Sequence, residues 1–548
     1  MALLSWALQG DLSTAHRQII PGLREAWHIT VKHEKVAPIH ASNGYLVTPS
    51  PRGRGLTIRK LETGRQAAEI HPDGDQQESE AEQVGIVGST LVVSWKAHDL
   101  IVLSGYEVGT GKRVWQRSIR HNQGLTPAIA LTNQAVIFYG SFPVEAFAYE
   151  VHTGAPLWSL RVPRSGASTS AKFAHGDRTF FVLTWDRKLR GIATLNAVDA
   201  VHGTTRWHRQ VRTSTDPTDY DPLGDQNSLD LVASRAGDVA VNLTGAHHLY
   251  SATGRQIGSG AGMVWTLLRQ GTILYAKMWD LSLDEYDPHP LLAINTASGE
   301  TIWTKETYAR SLEPWGSYLI GQADQDWPMP AFVEQIATQD GQNSQIPLPG
   351  SLFHTDLIGV DGEYLVTQES VEYKYRPNGT DENVSVITAY RATPPRESRY
   401  PALAGLRPTS WPDACSLLPA GDLSRKVDYK SVPRHRSVFG VELPHPATCT
   451  YVPTQGVGPL IRLSIEWVAP TERGAEQMMR SRTALARSQG GEIKKLSSNR
   501  IAYTEQLPSG DVYPVYVRLG TAVLRVTTTP TDHALTEDAA ATVANGAR

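Results

Sequence analysis

Cysteine is almost absent from this chain: two residues in 548, Cys415 and Cys449. Their number and spacing exclude a cysteine-built zinc motif and a vicinal pair. Long apolar runs are missing as well. No stretch reaches the roughly 18–20 residues that span a bilayer. Residues 1–8 are apolar but short, and lack the basic start and small-residue cleavage site of a signal peptide. Neither charge sign is in excess: 52 Lys and Arg against 55 Asp and Glu leave a net charge of −3, which removes the electrostatic case for nucleic acid or an anionic membrane. Catalytic signatures are scarce. Neither G-x-S-x-G nor H-E-x-x-H occurs. Gly111-Lys112 is not a phosphate loop, because Tyr106 stands where the first glycine is needed and Arg113 where Ser or Thr is needed.

What the chain does contain is repetition. Its 46 glycines and 34 prolines are spread along it as turn punctuation. Turn glycines at Gly64, Gly111, Gly154, Gly203, Gly254, Gly299 and Gly341 are spaced by 47, 43, 49, 51, 45 and 42 residues, the size of one four-stranded propeller blade. Around four of them the pattern is closer still. Glu107, Glu150, Asp199 and Asn295 lie four residues before Gly111, Gly154, Gly203 and Gly299, and Trp115, Trp158, Trp207 and Trp303 lie four after. Each unit also carries a turn followed by a short apolar run, such as Leu91-Val92-Val93 or Phe180-Phe181-Val182, as fully buried strands do. These markers count eight units over residues 25–393. The eighth lacks the turn glycine. Closing the units into a ring would remove exposed end sheets, with residues 26–31 as the expected closing strand.

The motif at 105–115, 148–158, 197–207 and 293–303 resembles the PQQ-like (quinoprotein-type) eight-bladed β-propeller, a WD40-like architecture, over about two thirds of the chain. The resemblance implies that each Trp docks between neighbouring blades and that the acidic residue bonds within its turn. The units of Gly64, Gly254 and Gly341 lack the Trp, so their contacts are expected to differ. The fold expected is mainly β: an eight-bladed propeller at 25–393, after an N-terminal segment 1–24 read as a candidate anchor remnant. A Pro- and Arg-rich linker at 394–410 follows, then an α+β domain at 411–548. In that domain 411–427 reads as helix, 447–452 and 458–468 as strands, 471–489 as helix, three further strands lie between 500 and 528, and the Ala-rich end reads as helix. A Cys at a helix start followed by a strand Cys-x-Tyr resembles small actinobacterial lipoprotein-type extracellular domains, in which the pair forms a disulfide. The alternative reading of the residues is two buried free thiols. A disulfide would persist outside a reducing cytosol, in the cell envelope or beyond it.

Candidate chemistry is thin. Residues 215–227 hold Asp216, Asp219, Asp221 and Asp225, oxygen donors that suit Ca²⁺ without following the EF-hand spacing. A solvated acidic loop is the simpler reading. This loop and 281–288 are where a ligand-facing feature is expected, since inserted loops tend to carry function. Trp279-Asp280 is the nearest aromatic–acid pair to a quinone site. His247 and His248 are adjacent, so on a strand they point to opposite faces and cannot form a simple metal pair. The expectation is a non-enzymatic envelope protein, bound to a membrane only through an anchor upstream. Its propeller would be a platform for a protein or small-molecule ligand, with no cofactor and no nucleic acid. The alternatives are a PQQ-dependent oxidoreductase or other propeller enzyme, and an intracellular, cytoplasmic assembly scaffold.

Overall fold

The computed structural model describes residues 18–546 apart from interspersed stretches, the longest being 213–228, 280–288, 480–501 and 505–514. The chain divides into two units, one of Glu25–Asn343 with Ser351–Arg391, the other built on Ala392–Arg548.

Eight four-stranded antiparallel sheets are present among the described residues, and seven take their strands in chain order. The second sheet, for example, is Glu80–Val87, Thr90–Ala97, Leu100–Glu107 and Arg113–Arg120. The eighth differs. It runs Thr355–Asp361, Tyr364–Lys374, Glu382–Ala392, and its fourth strand is Leu23–His33 from the start of the chain. That explains the missing eighth turn glycine: no hairpin follows the third strand there, because its neighbour comes from elsewhere. Asp361 ties the same joint, its carboxylate accepting the Gly44 N–H at 2.5 Å.

The second strand of each sheet is buried on both sides, which is why it reads as a continuous apolar run. Leu91, Val92 and Val93 are inaccessible, as are Phe180, Phe181 and Leu183. Alternate residues feed different apolar layers. Leu91 and Val93 pack with Val47 and Ile58 of the first sheet, whereas Val92 packs with Val136 and Phe138 of the third. Similar layers join the third sheet to the fourth, the fourth to the fifth, and onward through the sixth and seventh. Another joins the eighth to the first through Ile387, Val366 and Leu46. The core is thus distributed between sheets, and each sheet depends on its neighbours for burial.

In the seven sheets made of consecutive strands, the turn between strands one and two and the turn between strands three and four lie at the same end. Backbone bonds join them, such as Val108 N–H to Ser89 O at 2.9 Å and Val151 N–H to Gln134 O at 3.1 Å. Strands one of neighbouring sheets run side by side: Glu80–Val87 beside both His40–Ser42 and Ala128–Leu131, and Thr355–Asp361 beside His40–Ser42. The ring therefore has a turn face and an opposite face, with first strands about its axis.

The second unit holds a six-stranded antiparallel sheet in the spatial order Tyr429–Arg434, Thr448–Pro453, Leu460–Val468, Ala522–Thr529, Val515–Leu519, Ala502–Thr504. Helix His533–Gly546 packs on two of these strands through Ala539, Ala540, Val543 and Ala544. The continuous helix expected at 411–427 is corrected. Only Ala414–Leu417 is α-helical, with 3₁₀ turns at Pro408–Ser410 and Ala420–Leu423. Pro412 and Pro419 lack the N–H a helix needs and clash with the preceding turn. Strand Tyr429–Arg434 was not foreseen. It contains Pro433 and accordingly sits at the sheet edge. Of 471–489, residues 472–476 are helical, and the segment from 480 lies outside the described residues. Within 394–410, Arg396–Ser398 pairs antiparallel with Gln18–Ile20. Cys415, whose N–H is capped by Asp413 at 2.8 Å, and the buried Cys449 are joined as a disulfide with Cα atoms 5.0 Å apart. Trp411 meets Trp467 edge-on at 5.5 Å beside it.

Two stability outcomes follow from this packing. Replacing the half-buried Trp27 of the closing strand by Ala should cost about 3 kcal/mol, the low end for large aromatic truncations. The exposed Val114→Ala should change stability by less than about 0.5 kcal/mol. Equal urea midpoints for the two variants would contradict a ring closed by Leu23–His33. Removing the disulfide as Cys415→Ala/Cys449→Ala should weaken the second unit by about 3–4 kcal/mol in the chain-entropy model, read as faster amide exchange in Thr448–Pro453.

Candidate functional site

The motif residues come together at the joints between sheets. Trp115 lies over Gly154 of the next sheet and donates its indole N–H to Val151 O at 2.8 Å. Trp158 does the same to Gly203 and Ala200 O at 2.9 Å, and Trp207 to Gly254 and Ala252 O at 3.0 Å. Trp303 covers Gly341 and bonds Thr338 O at 3.3 Å. Arg117 and Arg209 add bonds to the carbonyls of Gly154 and Gly254, both at 2.8 Å. The fifth member was not recognised from the sequence. Trp27 lies over Gly64 and donates to Leu61 O at 2.7 Å. It has no Gly four residues before it, because its hairpin partner strand comes from the other end of the chain, so the repeat pattern could not reveal it.

Where the Trp is missing, other atoms fill the joint. Gly111 faces Ala68 and Ile70, Gly299 faces the Ile257 backbone, and Trp315 of the seventh sheet bonds Gly362 O of the eighth at 3.0 Å. The acidic positions are used within their own turns. Glu150 accepts the Thr153 N–H and hydroxyl, both at 2.7 Å, and Asp199 accepts the N–H groups of Val201 and His202 at 3.0 and 2.9 Å. Burial works against both carboxylates, but these hydrogen bonds outweigh it and hold both below the usual range. Motif chemistry is thus consumed in holding the ring.

A different cluster, on the face opposite the turns, leaves an aromatic ring exposed. The first strand of the sixth sheet, Met263–Gln270, carries a bulge between Val264 and Thr266. The bulge leaves Trp265 out of the ladder and turns it outward; it is 47% exposed, the most exposed aromatic among the large exposed apolar residues. Its ring lies 4.4 Å from that of Trp279, at the end of strand Ile273–Trp279. Trp279 in turn stacks on His289 at 4.5 Å and 19°. His289 is buried and sits in register with Thr307. Behind it the chain is clamped by the buried Glu334, which accepts the Thr307 hydroxyl, the N–H groups of Tyr308 and Ala309 at 3.0 and 3.2 Å, and Asn343 Nδ2 at 3.1 Å. The buried Lys277 donates to Ala309 O. The result is an exposed indole backed by two stacked rings on a rigid polar base, suited to stacking on a flat or apolar partner.

Of the residues singled out from the sequence, Trp279 is in this cluster, whereas Trp265 and His289 were not anticipated: a bulge and a stacked imidazole leave no periodic trace. Asp216, Asp219, Asp221, Asp225, Asp280 and 281–288 lie outside the described residues. His247 is buried with Nδ1 3.1 Å from Gly262 O, while His248 reaches Gln256 at 3.3 Å. Burial lowers the pKa of both.

The joints give a discriminating pair of glycine variants. Gly44 and Gly154 both have positive φ, +76° and +64°. A methyl on Gly44 meets nothing within 4 Å, whereas on Gly154 it would stand 2.6 Å from the Trp115 ring. Gly44→Ala should cost about 1–2 kcal/mol from the left-handed conformation alone, and Gly154→Ala at least about 1 kcal/mol more from overpacking. Indistinguishable melting curves would rule out the docking of Trp115 on its neighbour.

Residues 98–260 match the family model described as outer membrane protein assembly factor BamB. No curated protein sequence is similar enough to match the chain. Among solved structures, the quinohemoprotein alcohol dehydrogenase ADHIIG of Pseudomonas putida HK5 is similar at 12% identity, covering 70% of this chain and 78% of that one, with a TM-score of 0.43. A europium-containing methanol dehydrogenase, also 12% identical, covers 67% of this chain and 93% of its own at a TM-score of 0.40. The WD40 domain of SCAP from fission yeast, 9% identical, covers 67% and 98% at 0.39. None of these likenesses carries a function to the chain. On its repeats and its four-stranded sheets the chain is a mainly β, propeller-type protein followed by a small α+β region, with the match to PQQ-like repeats confined to residues 98–260.

Proposed function

We propose that the protein is a non-enzymatic binding platform of the cell envelope that receives a protein or small-molecule partner on the face opposite the turns, with Trp265 as the anchor. The exposed Trp265, held out by a bulge and backed by Trp279 and His289, is the observation that carries this reading. An aromatic that is rigidly mounted and half exposed offers large contact area at little entropic cost. The Cys415–Cys449 disulfide supports an oxidising compartment.

The family type raises PQQ and Ca²⁺ as a resident pair, and the donors among the described residues do not fit them. Glu334, a buried carboxylate of the seventh sheet, has both oxygens committed to Thr307, Tyr308, Ala309 and Asn343. Among the described residues no group of three or more His, Cys, Asp or Glu is placed to hold a metal ion.

A photo-crosslinking amino acid at position 265, introduced in the native host, should trap a discrete adduct that the same residue at the exposed position 114 does not. Absence of an adduct specific to 265 would remove the anchor. Protein recovered from the host without reductant should resist alkylation at Cys415 and Cys449, and two free thiols would end the envelope assignment. Titration with PQQ and Ca²⁺ should give no saturable binding and no dye reduction. Either signal would instead make the protein a quinoprotein.

A further inference from the structure

At the turn face, four sheets bring polar side chains to one mouth of the ring. His40 opens the first strand of the first sheet, and His175 ends that of the fourth. Arg235 stands in the turn after Asp230–Ala233 of the fifth, and Glu313 opens Glu313–Trp315 of the seventh. Each lies within four residues of the turn glycine that follows it, Gly44, Gly176, Gly237 or Gly316, so all four lie toward the turn face on strands about the axis. The Arg235 turn is anchored, its carbonyl accepting the Asp177 N–H at 2.7 Å. The guanidinium is exposed, and its charge is felt at His40, His175 and Glu313, on three other sheets of the ring.

Two buried carboxylates elsewhere in the ring have close partners. Asp238 is paired with Arg269 at 3.1 Å, and Glu334 is enclosed by donors. Among the described residues, the side chains of His40, His175, Arg235 and Glu313 have no hydrogen-bond or ion-pair partner. Burial, and then Arg235, holds the His40 imidazole below its ordinary pKa. Burial does the same at His175, where Asp177 opposes and Arg235 adds. Both rings are therefore neutral near pH 7, each with one N–H to donate. Burial raises the Glu313 pKa, with Arg235 opposing. A solvated polar lining needs no such convergence of one guanidinium, two imidazoles and one acceptor from four sheets.

We propose that this mouth of the propeller binds a small oxyanion that also carries an O–H, inorganic hydrogen phosphate being the simplest. The Arg235 fork and the imidazole N–H groups of His40 and His175 donate to its oxygens, and the Glu313 carboxylate accepts its O–H. Sulfate has the same shape and charge class but no proton at neutral pH, so it meets Glu313 as an uncompensated negative group and is rejected.

Calorimetric titration of the full chain at pH 7 and constant ionic strength tests this, with sodium phosphate and sodium sulfate as probes. Phosphate should bind saturably and at least tenfold more tightly than sulfate. Arg235→Gln should weaken phosphate at least tenfold, and Glu313→Gln should bring the two anions within about threefold of each other. Far-UV circular dichroism confirms that each variant is folded. Should Arg235→Gln fail to fold, the Glu313→Gln ratio stands as the independent test. No saturable phosphate binding, equal affinity for the two anions in the unaltered protein, or an unchanged ratio in Glu313→Gln would overturn the assignment.

Discussion

The contact between an indole and the glycine of the neighbouring turn governs this molecule. A tryptophan at the outer strand of one sheet reaches across to the next, lays its ring where a side chain would stand, and gives its N–H to a carbonyl of the same turn. The glycine serves twice, through its positive φ, which ordinary residues adopt only at a cost, and through the space its missing Cβ leaves. One indole hydrogen bond contributes only about 1 kcal/mol net, but burial of the ring adds to it, and five joints use the device. Because each apolar layer is shared by two sheets, no sheet has a core of its own.

Closure is the consequence of that sharing. An open row of sheets would leave one apolar face bare at each end. Leu23–His33 completes the eighth sheet instead, and Trp27 extends the joint pattern across the seam. The rigid ring then has two distinct faces. Its turn face is assembled from tight, hydrogen-bonded reversals; the opposite face carries the stack of Trp265, Trp279 and His289. Both proposed binding regions use side chains the ring does not need for its own integrity.

The second unit follows different rules. Its stability is concentrated in one sheet with a helix over it and a disulfide beside the Trp411–Trp467 contact. Prolines decide its details: they break 411–427 into short turns and place Tyr429–Arg434 at an edge. Pro412 and Pro419, which lack the N–H a helix needs, keep 411–427 from forming the single helix its sequence suggests.

Period and spacing alone determined the repeat, the four-stranded units and the role of Trp115, Trp158, Trp207 and Trp303, because each is a local pattern copied along the chain. The candidate sites were barely legible. Trp265 depends on a one-residue bulge, His289 on a ring stacking from another strand, and His40, His175, Arg235 and Glu313 are separated by up to 273 residues. Nothing in their neighbouring residues distinguishes them from surface polar groups. Only closure of the ring brings four sheets' first strands around one axis, and that juxtaposition, which no window of sequence contains, decided where unspent chemistry gathers.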